Sequence, residues 1–141
     1  MASFNKFNAF AEYLAEGKMN LETDSLKIVL TNTAPVAGNS VLADLTEISG
    51  GNGYTTGGNA VAVASSGQTS GTYKLVLDDL TITASGGVIG PFRYFALVDT
   101  TPSTPNKPLV GWWDYGSSIT LADGESVTVD FSATNGVLQI V

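Results

Sequence analysis

GPFRYFALVDTTPSTPNKPLVGWWDYG, residues 90–116, is the stretch whose reading decides the fold. It holds both tryptophans, two of the five tyrosines, two of the six phenylalanines, the single arginine and four of the five prolines. Residues 92–98 and 109–115 are rich in aromatic and branched side chains, and a polar connection with three prolines lies between them. Such a pattern predicts two strands of one sheet joined by an extended loop. By alternation, Phe92, Tyr94, Ala96 and Val98 share one face, and Arg93, Phe95 and Leu97 share the other. Both faces are largely apolar. The pair is therefore either a central strand pair covered on both sides or part of an interface.

Outward from this stretch, the chain reads as a mainly β domain, an antiparallel sandwich or barrel with one N-terminal α-helix. Ser3 is placed to cap a helix over residues 4–16 with Gly17 as its stop, and Phe4, Phe7, Phe10, Ala11 and Leu14 fall at helical spacing. This gives a helical segment, residues 1–20, that docks on its own sheet or on a neighbouring subunit. Residues 21–141 form a single β domain. Residues 26–31 alternate as a strand with Leu26, Ile28 and Leu30 inward. A short helix is expected within residues 41–48. The GGNGYTTGGN run, residues 50–59, demands tight turns and places Tyr54 at a turn or a contact. Strands are expected over residues 60–64, 72–77, 80–84, 117–121, 126–131 and 137–141. Residues 65–71 read as a polar turn, Asp123-Gly124 as a hairpin turn and Asn135-Gly136 as a further turn. Turns every eight to twelve residues indicate an antiparallel sandwich or barrel. The final strand would present an edge to a second chain.

Charge narrows the partners. The 141 residues carry a formal net charge of −7, and only 13% are charged. The six basic residues are scattered, so no basic stripe exists to neutralise phosphates, and nucleic acid and anionic membranes are both unfavourable partners. Sparse charge with two-faced strands points to a protein partner and to a homo-oligomer. No run of signal-peptide length and no segment of membrane-spanning length is visible, which predicts synthesis and folding in a cytoplasm.

The inventory of chemistry is short. There is no histidine and no cysteine, which leaves carboxylates as the only ordinary acid–base groups. Asp78 and Asp79 are expected to cap backbone N–H groups, and Asp114 to accept hydrogen bonds from Arg93, an indole or a phenol. The glycine-rich run has no GxGxxG and no following lysine, so it is not a phosphate loop. No calcium-loop spacing and no GxSxG occurs. Hence no catalytic, cofactor or metal site is expected, and the chain is not read as an enzyme. Trp112 and Trp113, as strand neighbours, point to opposite sheet faces, which weakens a sugar-stacking platform. Interface cores are enriched in aromatic residues and arginine. The candidate interface residues are therefore Phe4, Phe7, Phe10, Tyr54, Arg93, Trp112 and Tyr115.

The segments FNKFNAFAEYLAEGKMNL, LKIVLTNTAP, NGYTTGGNAV, GPFRYFALVD and LVGWWDYGSSITLADGESVTVDF resemble a family of small virion proteins encoded among the structural genes of tailed bacteriophages and prophages. The resemblance covers nearly the whole chain and carries no catalytic signature. It implies a virion component, made in the host cytoplasm. A capsid decoration (cement) protein binding the major capsid protein or other virion proteins, often as a trimer, is the favoured form. A tail-tube or head–tail joining subunit and a glycan-binding fibre or spike domain are the alternatives.

Overall fold

The computed structural model describes residues 3–141, so the first two residues of the expected N-terminal segment lie outside it. Among the described residues the chain is mainly β, with antiparallel sheets in a sandwich-like arrangement and one α-helix near the N-terminus. The strands are β1 (Asn5–Lys6), β2 (Leu26–Thr31), β3 (Asn59–Val61), β4 (Val63–Thr69), β5 (Thr72–Leu77), β6 (Leu80–Thr83), β7 (Ile89–Asp99), β8 (Leu109–Leu121), β9 (Ser126–Val129) and β10 (Leu138–Ile140). The helix, α1, spans Asn8–Ala15. The main sheet has the order β1-β8-β7-β2-β3, and two smaller sheets, β10-β5-β4 and β6-β9, complete the β structure.

The opening stretch is the centre of the main sheet. β7 and β8 pair antiparallel, with Phe95 opposite Trp113 and Ala96 opposite Trp112. β2 pairs with the other side of β7. Both faces are covered, as two separate apolar clusters demonstrate. On one face Leu26, Ile28, Leu30, Phe95, Leu97 and Val110 pack against Leu75, Leu77, Ile82, Val137 and Leu138 from the smaller sheets and their flanks. On the other, Val29, Ala96, Val98 and Leu109 are closed over by Phe7, with Leu42, Leu45 and Trp112 at the margin. The alternation of Leu26, Ile28 and Leu30 gives one face of β2, and Val29 carries burial to the other, so Ile28-Val29-Leu30 is apolar without a break.

The N-terminal segment differs from its expected form. The 4–16 helix begins at Asn8, because Phe4 and Phe7 belong to an extended lead-in whose Asn5 and Lys6 pair with Trp112 and Gly111 of β8. Ser3 does not cap it; Phe7 holds the N-cap position with extended backbone and no side-chain cap. This pairing needs glycine at 111: a Cβ there would lie 2.7 Å from the Asn5 carbonyl and overlap the Phe4 ring. Gly17 does end the helix. It takes a left-handed φ of 72°, and the bonds Gly17 N–H to Leu14 O (3.2 Å) and Lys18 N–H to Tyr13 O (2.8 Å) form a Schellman cap.

Other departures have local causes. β7 is irregular at its N-terminal half, with register shifts on both sides of Phe92. The shifts bring Phe92 onto the Phe95 side, where the two rings meet edge-on at 5.6 Å, rather than the Tyr94 side that strict alternation gives. The separate strand expected at 117–121 is continuous with β8, because a wide irregularity around Gly116 (φ 103°) absorbs the extra residues. Residues 65–69 are strand, not turn; the polar side chains belong to an exposed edge strand, and the turn shrinks to Ser70-Gly71, both at positive φ. Asp123-Gly124 forms a turn but no hairpin. The strands it joins enter different sheets, β8 pairing with β7 and β9 with β6. The 60–64 run splits at Ala62 between two sheets, and the short helix expected at 41–48 is one 3-10 turn, Leu42–Asp44. Asp79, as expected, accepts a backbone N–H, that of Phe131 (2.8 Å).

The glycine-rich run wraps a buried polar knot. Tyr54 is buried; its hydroxyl donates to Glu47 and accepts the Leu30 N–H (3.2 Å). Glu47 also accepts the Gly57 N–H at 2.6 Å. Burial, and then the Glu47 carboxylate, hold the phenol far above its usual pKa, so it stays a donor. Gly53, at φ 110°, packs so closely on the Thr83 carbonyl that a Cβ would overlap it. Tyr54→Phe leaves both the Leu30 N–H and Glu47 short of a partner. The expected loss in urea unfolding is about 1–3 kcal/mol, against a negligible change for the exposed Tyr115→Phe.

Candidate functional site

An apolar groove of about 440 Å³ lies against the β7–β8 pair. Phe95, Trp113 and Tyr115 form one wall, Phe4 closes one side, and Val127–Asp130 form the other, with Phe131 at the end against Trp113. The turn carrying Ser132, Asn135, Gly136 and Val137 completes it. Its position follows from the topology. β8 and β9 are joined by the Asp123-Gly124 turn but do not pair, so the two strands diverge and leave a gap that aromatic rings only partly fill.

The rings are held by one another. Trp113 lies 5.4 Å from Phe4 and 5.7 Å from Phe131 between centroids, and Phe95 lies 6.3 Å from Tyr115. Such pairs contribute about 0.5–1.5 kcal/mol each beyond their burial, which fixes the wall before anything binds. Tyr115 remains 52% exposed, so its ring is available to a partner. The polar side chains of the lining are Thr128, Asp130, Ser132 and Asn135. Chemically, the groove offers apolar contact and hydrogen bonding around a single carboxylate.

Between the two groove residues of β8, Arg93 makes a two-pronged bond to Asp114, Nε to Oδ1 at 2.8 Å and a terminal nitrogen to Oδ2 at 3.1 Å. The pair realises the structural role expected for Asp114. Arg93 first, and the Gly116 N–H (2.8 Å) second, hold the carboxyl below the ordinary carboxylate range. Both side chains are about two-fifths exposed, so the pair adds little to stability.

Of the seven candidate interface residues, the structure brings Phe4 and Tyr115 together in the groove. Arg93 is engaged with Asp114. Trp112 is half-buried on the opposite face, stacked on Phe7 at 4.6 Å. Phe7, Phe10 and Tyr54 are core residues, 0%, 4% and 2% exposed, and present no surface to a partner. Their apolar bulk marks a core as readily as an interface, and the core claims them. Trp113, Phe131, Val127 and Val129 line the groove without belonging to that set. The sequence pair Trp112-Trp113 is symmetric until the register opposite Phe95 assigns Trp113 to the groove face.

Among the described residues no three His, Cys, Asp or Glu side chains gather as metal ligands, and no helix is long and apolar enough to cross a membrane. No protein-family model, curated protein or solved structure matches the chain.

Proposed function

We propose that this chain is a structural subunit of a tailed-bacteriophage virion, a decoration protein that binds the assembled head and reinforces it. The observation that carries this reading is the aromatic groove, preformed on a sparsely charged β domain and left open beside the exposed Tyr115. Concave aromatic surfaces rimmed by polar groups are what protein partners use as anchoring sites. The resemblance of the sequence to phage virion proteins supplies the identity of the partner, the major capsid protein or its neighbours in the shell. In this role the protein is non-enzymatic and acts in the virion as a homo-oligomer, with a trimer favoured.

The test is co-sedimentation of purified protein with assembled heads that lack it. Saturable binding is expected, with a higher temperature of head disruption once it is bound. Tyr115→Ala removes an exposed ring without disturbing the core, and a loss of about tenfold in affinity is expected, the effect of one anchoring aromatic residue. Protein that ignores heads and stacks into rings or tubes would overturn the decoration role in favour of a tail subunit.

A further inference from the structure

The groove runs along a strand edge. Val127, Thr128, Val129 and Asp130 all line it. Successive residues of a strand point to opposite faces, so a cavity that touches four in a row meets the strand from its side. β9 pairs with β6 along one side and, among the described residues, has no strand on the other. In an antiparallel pair, alternate residues turn their N–H and C=O groups away from the partner strand. On β9 those outward groups front the groove. Opposite them stand Trp113 and Tyr115, two residues apart on β8, with Phe131 at the end. The result is a slot with a hydrogen-bonding edge along one side and an aromatic wall along the other.

We propose that this slot accepts an extended segment of a partner polypeptide, which adds to the free edge of β9 as the third strand of the β6–β9 sheet. Its alternate apolar side chains fill the space against Trp113 and Phe131, and basic residues flank them. This mode takes affinity from main-chain hydrogen bonds and specificity from alternate side chains. Charge selects the partner. Asp130 is the only acidic or basic residue in the lining, and the chain carries −7 overall. A second copy would therefore bring like charge to the slot, whereas a cationic segment is drawn to it. The inference rests on the binding role proposed above and names the segment bound.

The test uses the full chain and a synthetic peptide of strand length, about six to eight residues, with alternating Val and Thr and a Lys at each end. Two controls share its core, one ending in Glu and one N-methylated at alternate residues. The expected Kd of the Lys-ended peptide is on the order of 10–100 μM, with slowed exchange at the β9 amides that face away from β6. The Glu-ended peptide is expected to bind several-fold more weakly at low salt, with the gap closing as salt rises. N-methylation is expected to weaken binding about tenfold or more. Three results would overturn the proposal. One is no change at the β9 amides up to about 1 mM peptide; another is equal binding of the N-methylated form. The third is protection of the same amides by self-association, which would make a second copy the occupant. If whole protein still binds heads while the peptide fails, only the strand-addition inference falls. If the peptide binds and heads do not, the decoration role falls instead.

Discussion

Phe7→Ala is expected to destabilise the isolated chain by about 3–5 kcal/mol, the range for truncating a fully buried phenylalanine. Phe7 is 0% exposed and is the residue that closes the second apolar cluster over Val29, Ala96, Val98 and Leu109. Its ring also supports Trp112, and its N–H is bonded to Val110 O at 3.2 Å. Domains of this size have about 5–15 kcal/mol in total, so the variant should lose a large fraction of its stability. The measurement is urea unfolding of dilute protein, with a lower midpoint and an unchanged slope expected. The experiment separates two uses of the N-terminal segment. A segment that docked on a neighbouring subunit would leave the isolated chain nearly unaffected by the substitution. A loss below about 1 kcal/mol would contradict the packing described here.

The second large effect is a dependence of stability on pH that runs opposite to ordinary acid denaturation. Asp99 closes β7 and is fully buried. Its Oδ1 accepts the Thr101 N–H at 3.2 Å, and Oδ2 has no donor. Burial first, and then the neighbouring Asp24 carboxyl, push its pKa up to about 8 from 3.8. Two carboxyl groups can bond only if one keeps its proton, so the neutral form of Asp99 is the one that satisfies the site. The folded state therefore holds this proton where the unfolded chain has released it. Between about pH 4 and pH 8 the contribution falls as pH rises, by at most about 1.4 kcal/mol per pH unit. It is fully present below the unfolded value and lost above the folded one. Asp99→Asn keeps a donor toward Asp24 and removes the titration. Denaturant midpoints across that interval are expected to decline for the native chain relative to the Asn variant, which should be the more stable of the two at pH 8. Parallel profiles would contradict the assignment.

Much of this architecture is legible in the residues. The alternation of β2, the two-faced β7–β8 pair and the glycine stop of the helix follow from local pattern, and the structure selects Arg93 among the three donors open to Asp114. What local pattern does not carry is which side of a strand pair the chain turns to next. Phe4 and Phe7 sit three residues apart, the spacing of a helix, yet their backbone is drawn out by pairing to β8, made possible by the glycine at 111. The Asp123-Gly124 turn has the chemistry of a hairpin and is not one, because β8 pairs with β7 and β9 with β6. That choice opens the groove. Its residues are scattered from Phe4 to Val137, and only the register of Trp113 opposite Phe95 makes them neighbours. β4 escapes for a different reason: an edge strand wet on both faces needs no apolar alternation, so its residues resemble a loop.

The proposed docking of the aromatic groove on a phage head is tested most directly by a reconstruction of the intact virion that contains this chain. The expected result is density for the chain on the outer surface of the head. Trp113, Tyr115 and Phe131 should face the shell, and an extended shell segment should lie along β9. Density confined to the tail, or a chain on the head with this groove open to solvent, would contradict it.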